Sequence, residues 1–302
     1  MLPFARVSII GMGLIGSSLA RAVRAHMPTV RLTATDADAA VRERVRDLNL
    51  VDDVADSAGA AVVDADLVVL AVPLGAFAAV GAEIAPELAS GAIVSDVGSA
   101  KQIVIDALGP LMPPGVHLIP AHPVAGTERS GPDAGFPTLF EGRWCILTPP
   151  EGADSAAVAR LSEFWARVGS RVEVMEPRHH DLVLAVTSHI PHLIAYSIVG
   201  TAADLEGVTR GEVIKYSAGG FRDFTRIAAS DPTMWRDVFL TNKDAVLEVL
   251  GRVSEDIAAL QRAIRWGEGD ALFQRFSSSR DIRRAIIDAG QDTADPDFGR
   301  HH

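Results

Sequence analysis

Short, uninterrupted apolar runs separated by amphipathic stretches dominate the first 175 residues of the chain. Continuous runs are expected of strands that are covered on both faces of a parallel sheet, because a half-exposed strand would alternate. The predicted strands span residues 7–10, 30–35, 67–72, 93–95, 117–119 and 145–147. Helical spacing of apolar residues predicts helices over 14–25, 37–48, 75–88 and 155–168. This alternation predicts an α/β domain with a doubly wound sheet over residues 1–175.

The pattern changes after residue 175, where strand-like runs bounded by turns stop. Pro177 can open a helix. Helical spacing predicts helices over 177–201, 232–240, 241–265 and 269–289. Long helices with an apolar face need a partner, so we expect an all-α domain over 176–290 that also joins two chains in a homodimer. Residues 291–302 are rich in aspartate and predict a frayed tail.

Composition agrees with two folded domains and excludes some functions. A chain of 302 residues exceeds what one core usually holds, and 48% hydrophobic residues exclude disorder. The net charge of −11 argues against binding to nucleic acid or to an anionic membrane surface. With no apolar run of about 20 residues and no signal-peptide pattern, we expect a soluble cytoplasmic protein. The single cysteine, Cys145, excludes an internal disulfide and predicts a small buried side chain.

A glycine-rich turn follows the first predicted strand and opens the first predicted helix. Its sequence, GMGLIG, has the GxGxxG spacing, which alone is weak evidence. The strand before it and the helix after it strengthen the case. Gly11 permits the tight turn, Gly13 lets the backbone approach a pyrophosphate, and Gly16 lets helix and strand pack closely. The N–H groups around Leu14 and Ile15 then face the phosphates, so this end of a Rossmann-type domain is predicted to bind a dinucleotide.

An acidic residue ends the second predicted strand and bears on the choice of cofactor. Asp36 can accept hydrogen bonds from ribose hydroxyls and would repel a 2′-phosphate. Ala37 and Asp38 follow, with no arginine to hold such a phosphate, so NAD is favoured over NADP. Val72 and Pro73 end the next strand at the edge where dinucleotides lie, although Pro73 is equally explained as a strand terminator.

Two segments leave the carboxyl ends of later strands and are expected beside the nicotinamide. They are SDVGSAK (95–101) and PAHPVAGT (120–127). His122 is predicted to lie in a loop before Pro123, and histidine is the usual side chain for moving a proton near neutral pH. We therefore interpret His122 as a general base. Ser99 is a candidate site residue and equally a candidate cap for a helix over 100–108.

The helical half contains two histidines inside an apolar run. His189 and His192 have a spacing that a metal pair would use, but no carboxylate or cysteine stands at ligand spacing. We therefore predict no metal site.

Paired glycines and two arginines mark a later segment, SAGGFRDFTRIA (217–228), which reads as a loop. An arginine suits bidentate capture of a carboxylate. The alternative is a structural arginine that pairs with Asp223 or Asp231, which is favoured for Arg222 and disfavoured for Arg226.

Taken together, these segments resemble the prephenate and arogenate dehydrogenases of tyrosine biosynthesis. The resemblance runs from Val7 to about residue 289. It rests, in chain order, on GMGLIG, SDVGSAK, HPVAGTERSG, TSHIPH, GGFRDFTRIA and SDPTMWRDVFLTNK. It implies NAD-dependent oxidative decarboxylation of prephenate to 4-hydroxyphenylpyruvate and a homodimer joined through the helical domains. Because the two predicted domains use up the 302 residues, we expect neither the regulatory domain nor the fused mutase that some members carry.

The resemblance also implies roles for individual residues. His122 corresponds to the histidine that accepts the proton of the substrate's ring hydroxyl, and Ser99 to the serine that bonds near this hydroxyl and the nicotinamide. His192 corresponds to a substrate-binding histidine, and Arg226 to the arginine that holds a substrate carboxylate. Two further residues of the matched segments are expected at the substrate, His189 and Gly220.

Several alternatives stay open at this point. Arogenate, or both substrates in a dual-specificity cyclohexadienyl dehydrogenase, would fit the same motifs; prephenate leads because no acidic residue is obviously placed to meet an ammonium group. A dehydrogenase of 3-hydroxy acids would rely on a catalytic lysine, for which the helical half offers Lys215 and Lys243. A non-catalytic NAD-binding sensor would retain the glycine turn but would not need His122, Ser99 and Arg226 together.

Overall fold

The computed structural model describes residues 2–127, 129–204, 212, 215 and 218–288. The chain divides into two compact units, Met1–Val246 and Leu247–His302. All of the predicted site residues lie in the first unit.

Six parallel strands form the main sheet of the first unit, in the order β3-β2-β1-β4-β5-β6. They are β1 (Arg6–Ile10), β2 (Arg31–Thr35), β3 (Asp53–Val54), β4 (Leu67–Leu70), β5 (Ile93–Asp96) and β6 (His117–Leu118). The strand order reverses between β1 and β4, and ligands of open α/β sheets bind at such a switch point. The predicted doubly wound sheet is confirmed; the short strand β3 was not predicted, because two residues carry no periodicity.

The uninterrupted apolar runs are explained by burial on both faces. Val7 and Ile9 point to one core, whereas Ile10 points to a second core with Val68 and Leu70. All five side chains are almost completely buried. Each strand therefore needs apolar residues at consecutive positions, which is the pattern seen in the sequence.

Six helices cover this sheet and its edges. They are α1 (Leu14–His26), α2 (Ala39–Asp47), α3 (Ala58–Val62), α4 (Phe77–Ile84), α5 (Gln102–Leu108) and α6 (Ser155–Arg167). Asp38 caps α2 and Asp154 caps α6, each by accepting a backbone N–H at 2.8 Å. The predicted helix over 75–88 is shorter than expected because Pro86 has no N–H with which to continue the α-helical hydrogen bonds, and 3₁₀ turns flank α4.

A second, three-stranded sheet corrects two expectations. It consists of β7 (Ala121–Pro123), β8 (Trp144–Leu147) and β9 (Arg171–Val174), with β7 antiparallel to β8 and β9 parallel to it. The strand predicted over 145–147 belongs to this sheet and not to the main one. His122 lies in β7 opposite Ile146, not in a loop. Because β7 is an edge strand, it tolerates Pro123, which in the sequence argued against a strand.

The helical part of the first unit begins with one long, interrupted helix. Its parts are α7 (Pro177–Leu184), a π-helical turn (Ala185–His189) and α8 (Ile190–Asp204). Pro191 lacks an N–H and would clash with the carbonyl of the preceding turn, so the widened turn before it relieves that conflict. The segment interpreted as a loop over 217–228 instead forms α9 (Gly219–Thr225) and begins a 3₁₀ turn (Arg226–Ala229). It is followed by α10 (Pro232–Thr241).

The interrupted helix is long and apolar enough to cross a membrane by length and composition alone. Over Pro177–Ala202 an 18-residue window has a mean hydropathy of 1.6, and 28% of that window is buried. This differs from the expectation that no such run exists. Three of its polar residues, His180, Asp181 and His189, are buried in a hydrogen-bonded network, as in the core helix of a folded domain.

Two long helices account for the rest of the described chain. They are α11 (Lys243–Trp266), which begins in the first unit, and α12 (Gly269–Asp288). In the second unit, large apolar side chains are exposed along both helices: Leu247, Ile257, Ile264, Trp266, Phe273, Phe276, Ile282, Ile286 and Ile287. The tail predicted over 291–302 lies outside the described residues.

Candidate active site

The glycine turn after β1 has the close contacts that a dinucleotide site requires. Gly11 has a φ of +97°, and a Cβ placed there would lie 2.5 Å from the carbonyl oxygen of Ala71. A Cβ on Gly16 would overlap the carbonyl oxygen of Gly11. Only glycine fits either position without moving the backbone. The turn therefore holds α1 close against the end of β1.

The remaining glycine of the turn, Gly13, faces open space. A Cβ on Gly13 would meet nothing within 4 Å, and no side chain caps α1 at this residue. The N–H groups of Leu14 and Ile15 have no partner inside the helix, because the first turn of any helix lacks one. Unpaired N–H groups beside an open, Cβ-free surface fit a diphosphate. The residues present at this helix N-terminus therefore fit a dinucleotide.

Asp36 lies at the end of β2, next to the glycine turn. Its carboxylate accepts the N–H of Met12 at 2.8 Å and that of Asp38 at 3.0 Å. It is half-buried and keeps further acceptor capacity for ribose hydroxyls. Arg42 donates to the Asp36 carbonyl at 2.7 Å. The sequence interpretation considered only the two residues after Asp36 and missed this arginine.

Val72 and Pro73 follow β4 at the same edge. Val72 Cγ1 lies 3.0 Å from where a Cβ on Gly11 would stand. β4 ends at Leu70, three residues before Pro73, so the proline is not what terminates the strand. Pro73 is exposed and precedes a 3₁₀ turn.

A buried ion pair, missed in the sequence interpretation, lies at the carboxyl end of β5. Lys101 donates from Nζ to the carboxylate of Asp96 and, at 2.7 Å, to the carbonyl of Ala121. Asp96 also accepts the N–H of Gly98 at 2.7 Å and that of Ala121 at 3.2 Å. Burial raises the pKa of Asp96 and lowers the pKa of Lys101, while each charge opposes the shift of the other. This pair fixes the residue directly before His122.

His122 is buried and belongs to a chain of three hydrogen-bonded side chains. Its Nδ1 lies 2.9 Å from Nε2 of His180, whose Nδ1 lies 2.9 Å from Oδ1 of Asp181. No described residue bonds to Nε2 of His122. Burial, and then the nearby His180, Lys101 and His189, hold the pKa of His122 well below 6.5. The ring is therefore neutral at neutral pH, as a proton acceptor must be.

Asp181 also caps the N-terminus of α5, a role that the sequence analysis considered for Ser99. Its two carboxylate oxygens accept the N–H groups of Lys101, at 2.7 Å, and of Gln102, at 3.0 Å. The N-terminus of α5 is thus capped by Asp181 and not by Ser99, and the helix begins at Gln102 instead of residue 100. Ser99 is half-buried, and its hydroxyl has no hydrogen-bond partner in the described part of the chain.

His189 is connected to this chain through Asn242. The Asn242 amide donates to the Asp181 carbonyl at 2.9 Å and lies 3.1 Å from Nδ1 of His189. Nε2 of His189 is buried without a hydrogen-bond partner among the described residues. Burial lowers the pKa of His189 to about 4. His189 is therefore neutral. Because the amide nitrogen of Asn242 can only donate, Nδ1 of His189 accepts and the ring proton lies on Nε2. This Nε2–H is an unused donor.

His192 packs against an aromatic side chain of α10. Its ring stacks on Trp235 with centroids 3.6 Å apart, and its Nδ1 donates to the Ser188 carbonyl at 2.8 Å. Burial lowers the pKa of His192, and the guanidinium of Arg226 adds to that effect. With Nδ1 committed as a donor, Nε2 of the neutral ring only accepts. His192 can hold a carboxylate only after it takes up a proton.

The two arginines of α9 and the following turn differ. Arg222 pairs with Asp223 at 3.3 Å on the surface, which is the structural role favoured for it. Arg226 is exposed and forms no ion pair with Asp223 or with Asp231, whose side chain caps α10. Its guanidinium is available to a ligand. Gly220 lies in the first turn of α9, where a Cβ would meet nothing within 4 Å.

The structure thus connects some predicted residues and adds others. His122, His189 and His192 are joined by hydrogen bonds or ring contacts through intervening side chains, whereas Ser99 and Gly220 make no described contact with them. The missed residues are His180, Asp181, Lys101, Asp96, Asn242 and Trp235. One signal was available for the first two: they fall on the apolar side of a predicted helix. No cluster of three potential metal ligands occurs among the described residues.

The low pKa of His122 predicts how activity depends on pH. Because a general base must be unprotonated, the fall in kcat/KM on the acidic side, caused by protonation of His122, should set in only well below pH 6.5. The charged and titratable groups that act on the ring are His180, Lys101 and His189. The measurement is a pH profile of kcat/KM from pH 5 to 9. An acidic limb with its midpoint at or above pH 6.5 would contradict a buried, neutral base.

Comparison with known proteins gives matches along most of the chain. Residues 19–174 match the nucleotide-binding domain of prephenate dehydrogenase, and residues 176–278 match its dimerization domain. The cyclohexadienyl dehydrogenase of Zymomonas mobilis is 44% identical over 95% of this chain and 97% of its own. The prephenate dehydrogenase of Bacillus subtilis is 34% identical over 93% of this chain and 76% of its own.

A solved structure is similar over nearly the whole length. It is the prephenate dehydrogenase of Aquifex aeolicus in complex with hydroxyphenyl propionate and NAD+, at a TM-score of 0.86 and 31% identity, over 95% of this chain and 98% of that one. With both domains matched and relatives above 30% identity over most of their length, the chain belongs to the prephenate dehydrogenase family.

Proposed function

We propose that this chain oxidises and decarboxylates prephenate to 4-hydroxyphenylpyruvate with NAD, in the cytoplasm. The observation that carries the proposal is His122, a buried neutral imidazole held on one side by His180. Its other ring nitrogen makes no hydrogen bond to a described residue, so it is available to a substrate. The same compact unit contains the glycine turn and Arg226, which forms no ion pair with Asp223 or Asp231.

NAD is the proposed cofactor. The open surface at Gly13 and the acidic Asp36 at the end of β2 support it. The Aquifex relative was crystallised with NAD+. Arg42, close to Asp36, carries the positive charge that could pair with the 2′-phosphate of NADP. Both cofactors are therefore included in the assay.

His122 is proposed to accept the proton of the substrate's ring hydroxyl and later to return it. When bound, NAD supplies the acceptor for the hydride that leaves the hydroxyl-bearing ring carbon. His122 takes the hydroxyl proton at Nε2, so that this carbon becomes a carbonyl. The bond to the ring carboxylate then breaks and CO2 leaves, and the electron pair of that bond makes the ring aromatic with a phenolate oxygen. The proton on His122 can return to that oxygen. Ser99, whose hydroxyl has no described partner, is proposed to hold this oxygen.

Arg226 and His192 are proposed to hold the anionic groups of the substrate. Arg226 has no competing carboxylate among the described residues, and a guanidinium binds a carboxylate through two parallel hydrogen bonds. His192 contributes after proton uptake, which a neighbouring carboxylate favours. His189 offers its unused N–H, and Gly220 leaves the surface at its own position in α9 free of a side chain.

Removing the guanidinium is expected to weaken substrate binding more than chemistry. Arg226→Ala should raise KM about 10- to 100-fold and leave kcat within a few-fold, because a charged hydrogen bond contributes about 1.5–3 kcal/mol to ground state and transition state alike. Steady-state kinetics measures both constants. Arg222→Ala, which removes the neighbouring paired arginine, is the matched control and should leave KM unchanged. A loss confined to kcat would contradict the carboxylate-binding role.

A second substrate belongs in the same assay. The Zymomonas relative is named a cyclohexadienyl dehydrogenase, so arogenate or both substrates remain the alternative. The neutral form of His192, whose Nε2 is an acceptor, is also compatible with an ammonium group.

A homodimer is the proposed assembly, joined through the helical region. The match to a dimerization domain supports it. So do the exposed apolar side chains of α11 and α12, since soluble monomers rarely expose so many large apolar groups.

One experiment separates these functions. The purified protein is given prephenate, arogenate or a simple 3-hydroxy acid, each with NAD or NADP, and both NADH formation and CO2 release are followed. We expect NADH and CO2 in equal amounts from prephenate with NAD. Turnover of the 3-hydroxy acid alone would overturn the proposal, and NAD binding without any turnover would favour a sensor.

A further inference from the structure

His180 and Asp181 have no direct role in the proposed reaction, although both are buried and connected to His122. The three side chains His122, His180 and Asp181 form what we call the imidazole relay. Two hydrogen bonds of 2.9 Å join them in sequence. Such a connected set fixes where each proton lies, because every hydrogen bond needs one donor and one acceptor.

The proton positions follow from the carboxylate end. Both oxygens of Asp181 already accept backbone N–H groups, from Lys101 and Gln102. A carboxylate oxygen only accepts, so Nδ1 of His180 is the donor in the next bond. Burial also lowers the pKa of His180, so that ring is neutral and carries its only proton on Nδ1. Nε2 of His180 is therefore an acceptor.

The same logic sets the tautomer of His122. Since Nε2 of His180 accepts, Nδ1 of His122 must donate to it. A neutral His122 then has its lone pair on Nε2, the nitrogen that no described residue occupies. That is the form a base needs, whereas the opposite tautomer would present an N–H to the substrate hydroxyl and could not take its proton.

We propose that His180 and Asp181 are positioning residues that hold His122 in the Nδ1–H tautomer and stabilise the positive charge His122 acquires when it takes the substrate proton. The inference rests on the proposed role of His122 and extends it to two residues that never touch the substrate. Asp181 then has two roles, because the same carboxylate also caps α5. Lys101, directly before that helix, donates to the carbonyl of Ala121, the residue before His122.

Variants of adjacent histidines test the relay. His180→Phe fills the space but removes the acceptor, and kcat is expected to fall about 10²-fold with KM changed only a few-fold. His180→Gln keeps an acceptor oxygen near the position of Nε2 and should recover most of that loss. His179→Phe is the matched control, because the side chain of His179 is exposed, and it should behave as the unmodified protein. Equal activity of His180→Phe and His179→Phe would overturn the proposal, and so would a loss in His180→Gln as large as in His180→Phe.

A spectroscopic measurement tests the relay without using activity. In protein labelled with ¹⁵N-histidine, the His122 signals, identified by their absence in His122→Asn, are expected to show the Nδ1–H tautomer in the unmodified protein. In His180→Phe that preference should be lost. An Nε2–H tautomer of His122 in the unmodified protein would overturn the proposal even if the enzyme is active. Conversely, if neither prephenate nor arogenate is turned over, the proposed function fails while the tautomer still decides on the relay.

Discussion

Replacing His122 with asparagine is expected to lower kcat about 10²- to 10⁴-fold, the usual contribution of a general base. Asparagine presents an N–H near the position of Nδ1 and can still donate to His180, so the buried hydrogen bond is kept. It offers no basic nitrogen toward the substrate. The affinity for NAD should change only a few-fold, because the glycine turn and Asp36 are untouched.

Turnover and cofactor binding are measured separately for this variant. Initial rates of NADH formation give kcat, and titration of NAD with the protein gives the dissociation constant. His117→Asn, which changes a half-buried histidine of β6, is a control for a histidine outside the site. Unchanged turnover in His122→Asn would remove the proposed base. A large loss of NAD affinity would instead indicate a misfolded nucleotide site.

Replacing Lys101 with methionine is expected to produce the largest loss of stability. Lys101 and Asp96 are both completely buried, and removing one charge leaves the other without compensation. Breaking a buried pair in this way costs about 3–5 kcal/mol. The expected fall in Tm is on the order of 10 °C. The deficit should shrink as the pH is lowered, because protonation neutralises the unpaired Asp96.

Denaturant unfolding of this variant and of two companions measures the effect. The double change Asp96→Asn with Lys101→Met removes both charges and should recover part of the loss. Arg252→Met, which breaks an exposed ion pair with Glu248, should change the free energy of unfolding by only about 0.5 kcal/mol or less. If Lys101→Met were as mild as Arg252→Met, the Lys101–Asp96 pair would not be a structural element of the site.

The parts of the fold that could be predicted are those with local periodicity. The five predicted strands of the main sheet appear with ends shifted by a few residues, because burial on both faces demands continuous apolar runs. The strand β7 could not be predicted from its three residues, Ala121–Pro123, since its pairing with β8 is set by tertiary contacts and Pro123 argued against it. The π-helical turn before Pro191 is likewise a response to a local conflict that periodicity does not show.

The site shows the same division between local and distant determinants. The glycine turn and Asp36 were recognisable because a short stretch of chain carries their whole geometry. His180 and Asp181 were missed because their partners, His122 and the N-terminus of α5, are far away in sequence. Asn242, which connects Asp181 with His189, is separated from them by 61 and 53 residues. Side chains that hydrogen-bond to partners so far away in sequence produce no recognisable spacing pattern in the sequence.

The central claim is that His122 meets the substrate hydroxyl while Arg226 meets a substrate carboxylate, with the nicotinamide beside them. The most direct measurement is a crystal structure of the protein with NAD+ and 4-hydroxyphenylpyruvate. The account predicts Nε2 of His122 within hydrogen-bond distance of the phenolic oxygen and the Arg226 guanidinium paired with the side-chain carboxylate. A phenolic oxygen far from His122, or a guanidinium directed into solvent in both protomers, would contradict it.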